Sequence, residues 1–401
     1  MNIGHINFRF TAVVKIFLAV GLLSATNAPL KAQKEGEVTE RRFNAVVTSV
    51  PSLQINPSAR SGGMGDVGVS TTPDVFAQYF NPSKYAFLSS KAGVSFSYTP
   101  WLAKIVRDIK LMELVGYYKI GASDNQALSA SLRYFSMGSV EQFDEMSRSL
   151  GQAHPNEFAV DFGYSIQLTP DYSMGVVLRY IRGDQNLATG ESQAGNAFAA
   201  DISGFLTKYF YIGQSETLWT FGYNIKNIGT KISYGGGQSM FIPTNLGIGT
   251  GLLYPIDSYN ALSLNLELNK LLVPTPPLQD QKDPEAYKEA YDKYINTSSI
   301  AGIFKSFGDA PGGFKEELQE INLGVGMEYS YDNRFFLRAG YSYISPNKGN
   351  LQFFTLGAGF KMSVFSIDAS YLISTVAANP LDQTLRFTVA FDFDGIRSLF
   401  R

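Results

Sequence analysis

The chain has no cysteine, only two histidines, and no apolar run of the roughly 18 or more residues that a membrane-spanning helix requires. Without cysteine there are no disulfides, thiolate nucleophiles, cysteine-ligated metals or lipoprotein anchor. Charged residues make up 17% of the chain and the formal net charge is −2. No basic excess exists to neutralise phosphates, so nucleic acid is excluded as a partner. One histidine falls in a stretch that reads as an export signal, which leaves His154 in a loop between proposed strands. A Ser–His hydrolase needs its base beside a nucleophile and an orienting group, and the sequence shows no such constellation. The expectation is therefore no catalytic residue, no cofactor and no metal.

What the chain has is glycine and aromatics, 38 Gly, 30 Phe and 23 Tyr, within a composition that is 45% hydrophobic. That mixture suits strands and interfacial aromatic belts. Val160, Phe162, Tyr164, Ile166 and Leu168 share one phase, while Asp161, Gly163, Ser165 and Gln167 share the other. Side chains on a strand alternate between faces, so the two sets meet different surroundings, lipid on one side and a lumen on the other. Fourteen such segments are expected, at 92–99, 113–120, 127–136, 157–168, 172–182, 197–207, 217–225, 244–253, 261–271, 320–331, 334–344, 351–361, 363–374 and 384–393. Most have the roughly 9 to 11 residues that a tilted membrane strand needs. The fold class expected is all-β, a transmembrane antiparallel barrel of 14 strands occupying 91–394 with a short tail at 395–401.

Ahead of the barrel, Arg9 and Lys15 precede an apolar core from Ile16 to Leu23 and small residues ending at Ala32, the pattern of a removable signal peptide over 1–32. Residues 33–90 are rich in Gly, Pro and Ser and read as a periplasmic leader and plug, with one short helix from Asp74 to Phe80 that Pro82 ends. Connections alternate short and long. Bacterial barrels keep short turns on the periplasmic side and long loops outside, with both termini inside. Turns at 121–126, 169–171, 208–216, 254–260, 332–333 and near Met362 are then periplasmic, and the connections at 100–112 and around Gly138, Gly190, Gly235 and Pro276 are external.

A soluble β-sandwich alternates in the same way. Charge placement separates the two. Arg133, Asp161, Arg179, Asp201, Glu267, Glu328, Arg338, Asp368 and Arg386 all fall in proposed strands on the phase opposite the apolar residues. An Arg facing lipid at mid-depth costs roughly 2 to 4 kcal/mol, so the inward phase is selected. Both signs occur, so these side chains can pair across the lumen.

Gly63, Gly65 and Gly68 spell a G-x-G-x-x-G pattern, but no strand and helix flank it, so they are expected to let a compact plug pack on the barrel wall. Two outer loops carry helical spacing. Leu102, Ile105, Val106 and Ile109 give an apolar stripe beside Trp101, and Asp283 can cap a helix starting at Pro284 that stacks Tyr287, Tyr291 and Tyr294 on one face. Trp101, Ile105, Ile109 and the three tyrosines are candidate partner-binding residues, either packing over the barrel mouth or docking another protein. The loop regions at stake are 100–112, 137–156, 226–242 and 272–320.

The segment NPSARSGGMGDVGVSTTPDVFAQYFNPSKYAF at 56–87, with the closing FTVAFDFDG, resembles the PorV family of the type IX secretion system. That family is in turn similar to the FadL long-chain fatty-acid transporters, fourteen-stranded barrels with an N-terminal hatch. Asn81, Pro82 and Ser83 stand where those proteins carry Asn-Pro-Ala, so Ser83 departs from the usual alanine. The resemblance implies an outer-membrane shuttle that takes the C-terminal signal domain of secreted cargo at the type IX translocon. It also implies delivery to a surface attachment complex containing a sortase-like protease, with lipopolysaccharide and outer-membrane lipid as neighbours. The FadL likeness alone implies a transporter of hydrophobic small molecules.

Overall fold

The computed structural model describes residues 43–184, 194–235, 238–278, 283–376 and 379–393. The expected signal peptide, the start of the leader, the tail at 395–401 and the loop around Gly190 lie outside the described residues. Among the described residues there are sixteen strands. The first seven are β1 Ala92–Pro100, β2 Ile109–Ile120, β3 Gln126–Met137, β4 Val140–Phe143, β5 Ser149–Ala153, β6 Asn156–Thr169 and β7 Tyr172–Asp184. The remainder are β8 Gly195–Ile212, β9 Ser215–Gly229, β10 Asn245–Pro255, β11 Asn260–Leu271, β12 Ile321–Tyr331, β13 Phe335–Tyr343, β14 Gln352–Lys361, β15 Phe365–Ser374 and β16 Leu385–Asp392.

Fourteen of these close an antiparallel barrel in chain order, β16 pairing with β1, and β4 and β5 form a separate hairpin between β3 and β6. Closure leaves no free sheet edge in the wall, which lipid would not tolerate. The alternation resolves into two faces. Phe162 on β6 is 66% exposed on the outer surface while its neighbour Asp161 is 5% exposed within the barrel. Val176 and Leu178 on β7 face out, and Val177 and Arg179 are buried. Among the described residues no helix is long and apolar enough to cross a membrane. The strands make the crossing.

Turns at 121–125, 170–171, 213–214, 256–259, 332–334 and 362–364 lie at one end of the barrel. The connections 101–108, 138–155, 230–244, 272–320, 344–351 and 375–384 lie at the other. All fourteen barrel strands match the segments read from the sequence, with ends shifted by a few residues. The largest shift is in β8, whose hairpin with β9 extends past its neighbours.

Residues 43–91 pass through the barrel, and the lumen is filled by this segment. Its path corrects one expectation. Residues 43–50 sit at the long-loop end, where the Asn44 N–H donates to Asn347 O (2.9 Å) and the Ser49 N–H to Phe241 O (2.8 Å). They are not a leader on the short-turn side. The chain then descends through Pro51–Gln54, a turn of helix at Ala59–Gly62, a second at Ala77–Phe80 and a 3-10 turn at Pro82–Phe87 before entering β1. The helix expected from Asp74 shrinks to 77–80, and it ends at Asn81, whose extended backbone (φ −163°) meets the steric demand of Pro82.

The segment fits because wall and plug approach backbone to backbone. Gly65 has φ +70°, and a Cβ there would lie 2.7 Å from Tyr341 O. Opposite it, a Cβ on Gly340 of β13 would lie 2.1 Å from Gly65 N. Only glycine serves at both positions.

Candidate functional site: the filled lumen and its outer mouth

The inward charges are held by adjacent or next-but-one strands and by the plug. Arg338 on β13 donates from Nε to Glu328 of β12 (2.6 Å) and from Nη1 to Asp368 of β15 (2.6 Å). Glu328 also accepts from Arg60 of the plug (2.8 Å), which reaches Asp74 (2.7 Å) with its other nitrogen. On the far wall Arg179 binds Asp161 (2.7 Å) and Asp201 (2.9 Å) on the two flanking strands, and Asn227 caps the group. The register shifts between Ala200 and Ile202, and Asn227 adopts φ +59° to donate its N–H to Asp201 (2.7 Å), a bulge that turns the backbone into the network. Arg133 pairs with Glu113 (3.2 Å) and donates to Ser52 O (2.7 Å), while Arg386 pairs with Asp66 (3.1 Å). Glu267 accepts the backbone N–H groups of Gly68 (2.7 Å) and Val69 (2.8 Å).

Pairing across open lumen, as expected from sequence, is thus corrected. Neighbouring strands stand about 4.8 Å apart, within reach of a single ion pair, whereas the opposite wall is screened by the plug. The sequence reading missed Arg60, Asp66, Asp74 and Glu113. The first three lie in a segment without periodicity, and Glu113 lay at the edge of its strand, though its inward phase was readable.

The plug residues named from sequence meet different parts of the wall and plug. Gly63 faces Gly357 of β14, Gly68 lies against the ring of Phe80, and Asn81 donates to Val69 O (2.9 Å) and Gly204 O (3.0 Å). Pro82 opens the following turn. The hydroxyl of Ser83 donates to the Asn81 side chain, a bond the usual alanine lacks, and the Ser83 carbonyl accepts from Ser173 (2.8 Å).

At the outer mouth the stripe at 102–109 is not a helix. Leu102 has φ +53°, a single turn follows, and the Trp101 N–H donates to Ile109 O (3.0 Å), which extends the β1–β2 ladder. Eight residues between two paired strands leave no room for a helix with a continuous face. Trp101 and Ile109 pack inward on Ile55, Leu111 and Phe135, whereas Ile105 stays 64% exposed. The other expected helix is present at Pro284–Asn296, capped by Asp283 accepting from Ala286 N (3.0 Å). Its rings run Tyr287, Tyr291, Tyr294, with centroids 6.0 and 6.1 Å apart, and end on Phe241 (5.8 Å). His154 is exposed on the rim beside the β4–β5 hairpin.

A buried polar cluster ties the outer loops together. Lys270 pairs with Glu317 (3.0 Å) and Glu320 (2.5 Å), and Lys348 with Glu320 (2.9 Å) and Glu316 (2.5 Å). Burial pushes the Glu320 carboxyl up, but the bonds from Lys270, Lys348 and Thr275 outweigh it and hold the group below the ordinary value of 4.5. Glu316 is lowered in the same way, burial being outweighed chiefly by Lys348. Space remains at both ends of the lumen. A cavity of about 650 Å³ lies under the mouth between Leu53, Trp101, Phe135, Leu271 and Phe353, with Lys226 and Arg386 in its lining. Another, about 520 Å³, opens at the short-turn end below Arg60 and Glu328.

The sequence model of a family described as Type IX secretion system protein PorV matches residues 37–278. The chain belongs to the PorV family. This PorV-family barrel is an outer-membrane protein of type IX secretion. Similar solved structures include the Pseudomonas putida toluene transporter TodX, 13% identical over 87% of this chain and 99% of that chain, with TM-score 0.45. A Pseudomonas aeruginosa FadL homologue is 11% identical over 88% and 100% of the two chains, with TM-score 0.44. No curated protein matches the chain by sequence.

Proposed function

We propose that this PorV-family barrel is the outer-membrane shuttle of a type IX secretion system. It holds the C-terminal signal domain of secreted cargo on its outer loops and delivers it from the translocon to a sortase-like attachment complex. The observation that carries this reading, beside the family, is the filled lumen. Plug residues Ala59, Met64, Gln78 and Tyr85 are wholly buried between the outer and the short-turn cavity, which leaves the loop surface as the place to meet a protein. A closed barrel offers no edge for strand addition, so the loops at 100–112, 137–156, 226–242 and 272–320 do the docking. The test is recovery of the native protein from outer membranes. Secreted proteins sharing a C-terminal domain should co-purify, and removal of 284–305 should abolish their capture while the barrel still folds; undiminished capture would contradict the loop assignment.

A second reading, transport of hydrophobic small molecules, is favoured by the outer cavity. Its walls are largely apolar, and Lys226, which rests on the ring of Tyr79 (3.9 Å), has no ion-pair partner among the described residues. An amphiphile with an acidic head fits that lining. Native mass spectrometry that found such a molecule bound, with no co-purifying cargo, would favour this reading over the first.

A further inference from the structure

The closed wall has no free edge, but one hairpin carries an edge beyond it, at the end opposite the long loops. β8 and β9 stay paired as far as Ile212 and Ser215, and Gly213, with φ +67°, turns the chain between them. On its other side β8 loses its partner much earlier. The last pair with β7 is Leu206 with Tyr172, and the last bond runs from the Thr207 N–H to Asp171 O (2.8 Å). From Lys208 to Ile212 no strand among the described residues lies along that side of β8. Elsewhere at this end the ladders run almost to the turns, as where Tyr331 pairs with both Asn260 and Phe335.

The Thr207 bond fixes what this edge offers. Backbone groups along a strand point alternately to one neighbour and the other, so the N–H and C=O groups of Tyr209 and Tyr211 point as Thr207 does, to the place β7 has left. Those of Phe210 and Ile212 point to β9. Side chains alternate as well. Tyr209 and Tyr211 continue the phase of Ser203 and Phe205, which are buried in the barrel, so they project over the periplasmic mouth, 66% and 70% exposed. Phe210 and Ile212 continue the lipid-facing phase and are exposed too.

No charge or proline interrupts the run from Tyr209 to Ile212, so nothing blunts the edge against strand addition. Lipid covers only Phe210 and Ile212, and hydrocarbon satisfies no backbone group. A second copy of this chain does not fit either. Two barrels inserted the same way round are related by an axis along the membrane normal, and strands tilted by about 45° then cross instead of lying side by side. What matches N–H and C=O groups at a two-residue spacing is an extended segment of a different protein.

We propose that the free edge of β8, from Lys208 to Ile212, is a periplasmic docking site for one extended strand of another protein. That strand takes the place β7 would hold if it ran on, and lays apolar side chains at alternate positions against Tyr209 and Tyr211. The site is independent of what the outer loops carry.

The full chain in living cells tests this. The photo-crosslinking residue p-benzoylphenylalanine replaces Tyr209, Tyr211 or, as a lipid-facing control, Phe162, with heat-modifiable migration confirming the folded barrel. Irradiation should join the 209 and 211 positions to one periplasmic protein, at sites about two residues apart in a single segment, while 162 gives no adduct with that protein. Tyr211→Pro removes an edge N–H without touching the bonds to β9, a change an edge strand tolerates. It should remove most of the adduct formed from 209, whereas Tyr211→Phe should keep it. Adducts with lipid only, with a second copy of this chain, or with sites scattered over unrelated segments would overturn the proposal. So would no adduct at all, or an undiminished one in folded Tyr211→Pro. Should that variant fail to fold, the spacing of the mapped sites decides alone.

Discussion

At the residue scale the molecule depends on carboxylates that serve wall and plug at once. Glu328 faces Arg338 of the wall and Arg60 of the plug, so Glu328→Gln leaves two guanidinium groups short of charge in a buried place. Breaking a buried pair from one side costs about 3 to 5 kcal/mol. The variant should unfold at a clearly lower denaturant concentration, and an unchanged midpoint would show that water reaches this network freely. The Gly65–Gly340 contact makes a second prediction. In Gly340→Val the new side chain collides with the plug backbone while projecting away from lipid, so the barrel should fold with its plug displaced. Planar-bilayer recordings should show larger, longer openings than the parent; an equally quiet channel would contradict the seating described here. The inward phase of Arg338 and Asp161 was legible because a charge on a lipid face is forbidden. Arg60 was not, since nothing near it in sequence is periodic, and an inward glycine such as Gly340 reads only as a weak strand residue.

At the scale of elements, the strands announce themselves and the loops do not. The stripe from Leu102 to Ile109 has helical spacing, yet the turn joining β1 to β2 uses those residues in two directions, Trp101 and Ile109 inward and Ile105 outward. Spacing alone cannot distinguish these when the segment is only one turn long. The hairpin of β4 and β5 was hidden because both its faces are mostly exposed, although Asp144, accepting from Met146 N (2.9 Å) and Arg148 N (2.8 Å), marks its turn. The helix at 284–296 was legible from its cap. Asp283→Ala should weaken it by about 1 kcal/mol, seen as faster hydrogen exchange over 284–296 with the strands unaffected; equal exchange would mean that packing rather than the cap holds the helix. The mouth cluster gives a pH dependence. Glu316 and Glu320 have carboxyls held below 4.5, so their stabilisation is complete above that value and is lost as pH falls through their lowered values. Exchange over 314–320 should accelerate only on acidification below 4.5, and acceleration nearer neutrality would contradict the pairing.

At the scale of the whole molecule, the barrel was readable because one rule repeats fourteen times and the lengths of the connections alternate. The course of the plug was not, since a filled lumen imposes no period on the chain that fills it. The central claim is that one phase of each strand meets lipid while the other is sealed against wall and plug. Spin labels at successive positions of β6 and β7 in reconstituted bilayers test it most directly, read by collision with oxygen and with a water-soluble nickel complex. Labels at 162, 164, 176 and 178 should collide with oxygen, and labels at 161, 163 and 177 should be shielded from both reagents, giving a two-residue period. Accessibility without that period, or inward positions open to lipid, would contradict the account.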